Sequence, residues 1–127
     1  MTPFKLSPAL RHELLRIACR LSAGEKIRGY RQYTSTYRKL SAYYSKALGI
    51  VVKRHESVID HKTPRYLRAP TIDLGLGWYA QPILRKTELR KAFVAIRRKL
   101  RKHKGIHPDL HIGNVGWYGD VPLMFDW

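Results

Sequence analysis

The chain has 127 residues, with 25 Lys and Arg against 9 Asp and Glu, for a formal net charge of +16. Its length suits one domain around one core, and a hydrophobic fraction of 44% sets aside a disordered polyelectrolyte. One cysteine, Cys19, excludes an intrachain disulfide and argues against a cysteine-built zinc site; no apolar run approaches a membrane span or a signal-peptide core, so the expected location is the cytoplasm.

Ser7-Pro8 reads as a helix N-cap and first helical residue. Leu10, Leu14, Ile17, Ala18 and Leu21 then recur at helical spacing until Gly24, with Cys19 expected as a small apolar residue beside the stripe. Residues 1–29 are therefore a helical segment. From Tyr30 to Lys46 tyrosines alternate with cations, and Thr34, Ser35 and Thr36 favour strand or turn. These tyrosines could stack bases or simply cover a small sheet.

Leu48-Gly-Ile-Val-Val-Lys53 is a β-branched run predicted as a strand, and residues 54–70 predict no element. Trp78 to Leu84 predicts another strand, with Pro82 placing it at a sheet edge or marking the strand's end. Residues 30–84 are thus expected to form a sheet. Thr87 is the expected cap of a second helix, whose stripe is Leu89, Phe93, Ile96 and Leu100 and whose stop is Gly105. Residues 85–104 hold ten Lys or Arg and one acid. Such density repels itself and suits a polyanionic partner, either DNA or RNA or an acidic host protein, through Arg90, Arg97, Arg98, Arg101 and Lys102. A membrane role is disfavoured because the apolar stripe is needed for the core.

The remaining segment, 105–127, carries His107-Pro-Asp109-Leu-His111-Ile-Gly-Asn114, then two short runs around Gly119-Asp120, then Phe125-Asp126-Trp127. Gly119-Asp120 predicts a two-residue hairpin turn with glycine first. Among so few acids, Asp109 and Asp126 with Asn114 between them follow the order H-x-D-x-x-x-x-N, then strand, then Asp. His107 and His111 with Asp109 could suggest zinc, but no fourth ligand accompanies them.

This segment resembles the catalytic loop and metal ligand of protein kinase-like enzymes, and D-L-H-x-G-N with Asp126-Trp127 is closest to the aminoglycoside and choline kinase type. The resemblance spans residues 37–127. It implies an α+β kinase-like fold: a small antiparallel sheet, an N-terminal helix, a basic helix and a catalytic-loop hairpin. It also implies ATP and Mg²⁺ as cofactors, Asp109 as base, His107 as loop anchor, Asn114 and Asp126 on the metal, and Lys53 on the nucleotide phosphates. A solvated strand-end lysine is the competing reading of Lys53. No glycine-rich loop precedes Lys53; Leu40 to Ser45 stands at that place without glycine, and Glu13 is the candidate partner for the lysine. Because little follows Asp126, the expectation is a fragment, a reduced kinase, or a kinase-like fold kept for binding. Small basic chains of this sort resemble viral or phage products that act on a host machine, by analogy alone.

Overall fold

A computed structural model describes residues 3–34, 39–54, 65–102, 113 and 115–125. It is an α+β structure of two α-helices, a five-stranded antiparallel sheet and a two-stranded antiparallel sheet. The chain divides into two compact units, one from Pro3–Ser57 with Pro70–Ile83, the other from Val58–Ala69 with Leu84–Trp127.

The first unit holds α1 (Pro8–Ser22), β1 (Arg31–Thr34), β2 (Lys39–Ser45), β3 (Ile50–Arg54), β4 (Ile72–Gly75) and β5 (Trp78–Pro82). Ser7 caps α1 as expected, its hydroxyl accepting from the Leu10 amide at 3.1 Å, while Pro8 loses no bond by lacking an N–H. Leu14, Ile17, Ala18 and Leu21 are buried along the expected stripe, and each large aliphatic among them contributes about 1.5–3 kcal/mol. Cys19, expected beside the buried stripe, is exposed.

Strand order is β1-β2-β3-β5-β4, so β3 is central. The Trp78 strand ends at Pro82, as its proline suggests, but it is not an edge: β5 lies between β3 and β4. Pro82 is paired with Ile50 at the end of the ladder, where a missing N–H does least harm. The edge is β4, an element not expected from sequence. It reaches β5 through the two-residue turn Leu76-Gly77, both with positive φ. Alternation decides the faces. Ile50 and Val52 of β3 pack with Trp78 and Ala80 of β5 against Leu14 and Ala18 of α1.

The second unit holds α2 (Leu89–Leu100) and the hairpin β6 (Val115–Tyr118) with β7 (Val121–Met124). Tyr118 pairs with Val121 across Gly119-Asp120, and φ is positive at Gly119 alone, the glycine-first turn that the sequence predicts. Ala92, Ile96 and Leu100 of α2 pack with Val115 and Met124 of the hairpin and with Leu67 of a 3-10 turn (Arg65–Leu67). Arg85 and Trp117 exchange backbone hydrogen bonds at 2.9 and 3.1 Å, tying the hairpin to the segment before α2. There Gly116 admits Leu84 so closely that a Cβ would lie 2.6 Å from the leucine Cβ.

Thr87 does not cap α2. The residue before the helix is Glu88, in the left-handed region (φ 48°) and with no side-chain cap. Thr87 is drawn elsewhere, its hydroxyl accepting from Arg85 at 3.0 Å and its carbonyl from Trp117 Nε1 at 2.8 Å.

Candidate functional site

Lys53 is the described member of the expected site, and it is not a solvated strand-end lysine. It lies on the central strand with 0% of its surface exposed, opposite Ala42 on β2 and Tyr79 on β5. Successive side chains on a strand alternate, so Lys53 and Val51 point away from the face that α1 covers. Directly paired residues share a face, which adds Ala42, Tyr44, Tyr79 and Gln81 to the Lys53 side. Arg54, the next residue, returns to the opposite face and lies 5.2 Å from the Trp78 ring centroid.

Gln81 is a functional candidate that the sequence reading missed. It is 6% exposed, and its amide Nε2 donates to Thr71 Oγ1 at 2.8 Å. Its carbonyl oxygen, Oε1, is buried and has no hydrogen-bond partner among the described residues. A buried acceptor left unpaired costs about 1–3 kcal/mol, so it marks a place where a ligand donor would be gained at little expense. The signal available in sequence was period-two alternation in Trp78-Tyr-Ala-Gln, which places Gln81 beside Val51 only once the register with β3 is known.

Two expectations around Lys53 are corrected. Leu40 to Ser45 builds β2, a strand paired with β3, and not a loop over phosphates. Glu13 lies on α1, which packs on the other face of the sheet from Lys53, and its charge instead helps to raise the pKa of Tyr30, after burial of that phenol. The tyrosines divide between the faces. Tyr43 packs with the α1 core and donates to the Leu21 carbonyl at 3.4 Å. Tyr33 and Tyr44 lie against each other with ring centroids 4.5 Å apart, and burial, then Tyr44, pushes the Tyr33 phenol up to about 12.

His107, Asp109, His111, Asn114 and Asp126 lie outside the described residues. Their described neighbours Val115 and Phe125 do belong to one end of the hairpin, where Val115 pairs with Met124. Lys86 reaches over the Phe125 ring, 3.6 Å from its centroid, and partial burial pulls its pKa down to about 8. Among the described residues no group of three His, Cys, Asp or Glu side chains could hold a metal ion. Arg90, Arg97, Arg98, Arg101 and Lys102 are all exposed, the first three on α2 and the last two in the turn that follows. No described helix is long and apolar enough to cross a membrane.

No family model, no curated protein and no solved structure matches the chain.

Proposed function

We propose that the protein is a reduced kinase-like phosphotransferase that binds Mg-ATP against the Lys53 face of the five-stranded sheet. The observation that carries this reading is the position of Lys53 on the central strand of the sheet, the place of the phosphate-binding lysine in the kinase-like order. Lysine is among the residues least often buried, so its enclosure on the central strand singles it out among the chain's many cations. In kinase-like enzymes a strand lysine pairs with the nucleotide phosphates, and Lys53 in Val-Val-Lys stands at that place in the motif order. The unpaired Gln81 acceptor on the same face supports it, because it offers a bound ligand a hydrogen-bond partner.

In this reading bound Mg-ATP supplies the transferable phosphoryl group and most of the charge neutralisation. Lys53 places a cation on the phosphates. Asp109 accepts the proton of the attacking hydroxyl, and His107 anchors its loop. Asn114 and Asp126 would hold Mg²⁺; in the sequence one stands directly before β6 and the other two residues after the last residue of β7. The metal half of the proposal rests on the sequence motif.

Thermal denaturation with millimolar Mg-ATP tests the reading. The nucleotide should raise the melting temperature, and Asp126→Ala should abolish the rise. An unchanged melting curve for the native chain would remove the enzymatic reading.

A further inference from the structure

The exposed side of α2 is used by nothing described so far. Its buried stripe, Ala92, Ile96 and Leu100, is committed to the core of the second unit, with Leu89 and Phe93 packed beside it. At 100° per residue the opposite arc carries Arg90, Lys91, Arg97 and Arg98, continued by Arg101 and Lys102, all exposed. Val94, 39% exposed, sits among them, and a groove of about 650 Å³ runs along Arg90, Lys91, Val94, Ala95 and Arg98. Glu88 is the one acid lining that groove, and it is engaged by Lys91 at 3.0 Å.

We infer that this face binds the phosphate backbone of double-stranded nucleic acid. Arg97–Arg101 and Arg98–Lys102 are like-charge pairs four residues apart, which repel in the free helix and would be relieved by a polyanion. The spacing agrees. Twelve helical residues extend about 18 Å, comparable to five base-pair rises of about 3.4 Å along a duplex axis, and five exposed cations (Arg90, Arg97, Arg98, Arg101 and Lys102) are spread over it and the turn that follows. The chemistry narrows the occupant further. A membrane surface needs an apolar face, and that of α2 is buried in its own core. A single strand is held by stacking on aromatic rings; the exposed arc carries none, and Phe93 packs against the core. What remains is an array of guanidinium and ammonium groups around one exposed valine, Val94, which reads phosphates and not sequence. This inference rests on α2 alone and is independent of nucleotide binding at Lys53.

The test is fluorescence anisotropy of the full chain with a labelled DNA duplex of about 20 base pairs between 50 and 200 mM salt. Five phosphate contacts predict a logarithmic salt slope of about −4.5 and a several-hundredfold loss of affinity across that range. The triple variant R97E/R98E/R101E should weaken binding at least tenfold and flatten the slope by about 3. The milder R97Q/R98Q/R101Q should move both in the same direction, and circular dichroism checks that α2 still forms. Lys5, Arg11 and Arg16 are exposed in the first unit. Reversing those three changes net charge equally and should leave most of the affinity intact. Equal losses from the two reversals would reduce the effect to net charge and overturn the inference. So would a salt-independent affinity, tighter binding of a single strand, or displacement of the duplex by polyglutamate at equal charge.

Discussion

Lys53 stands directly across the β3–β5 ladder from Tyr79, and both point to the face of the sheet that α1 does not cover. That single pairing separates the sheet's two roles. One face makes the core of the first unit through Ile50, Val52, Trp78 and Ala80. The other gathers the buried Lys53 and Gln81 with the buried Ala42 and Val51 and the flanking Tyr44 and Tyr79.

Gln81→Met should stabilise the fold by about 1 kcal/mol, because it removes a buried carbonyl oxygen that has no partner among the described residues. Thr71, which loses a donor in the exchange, is exposed and can turn to water. Urea denaturation measures this. A loss of more than about 1 kcal/mol would show that the amide is satisfied in solution.

Leu76 holds a left-handed conformation (φ 53°) at the first position of the β4–β5 turn, with 80% of its surface exposed. Paired positive-φ turns favour Asn-Gly, and a leucine there bears a strain of roughly 1–2 kcal/mol without packing to offset it. Leu76→Asn should therefore raise stability by about 1 kcal/mol in the same assay. No gain would mean that the turn relaxes.

Gly116→Ala is expected to act in the opposite direction. The added methyl meets the Leu84 Cβ at 2.6 Å and the Arg85 carbonyl at 3.3 Å, both parts of the segment bonded to the hairpin. Overpacking of this kind costs about 1–3 kcal/mol. Equilibrium unfolding of the variant should show that loss, and a neutral result would place Leu84 farther away.

The Tyr33 phenol, raised to about 12 by burial and by Tyr44, makes stability depend on alkaline pH. The folded state holds this proton more tightly than the unfolded chain, whose tyrosines titrate near 10. Its contribution is complete below about pH 10 and is lost as pH rises through about 12. Tyr33→Phe should accordingly lose less stability than the native chain between those limits. Parallel curves for the two would deny the shift.

The sequence displayed the helices well because their signals are local. Ser7-Pro8 and the Leu14 to Leu21 stripe define α1 without reference to anything distant, and Gly119-Asp120 defines its hairpin. Its silences have physical causes. Ile72 to Gly75 is too short and too polar to announce a strand, and it becomes one by pairing with β5. Thr87 has the chemistry of a cap but is held by Arg85 and Trp117, thirty positions away in the second case. Burial of Lys53 could not be foreseen either. In a chain with 25 cationic side chains only the central place of β3 distinguishes this one. Gln81 required the cross-strand register, a long-range fact.

The most direct measurement is isothermal titration of the whole chain with ATP, with and without magnesium, for the native protein and for Lys53→Met. The native chain should bind ATP and bind it more tightly with magnesium. Loss of the cation should weaken that affinity by about ten- to a hundredfold, the value of a charge-assisted contact to phosphate. Equal ATP affinity in the two proteins, or no heat from the native chain, would contradict a nucleotide site built on residue 53.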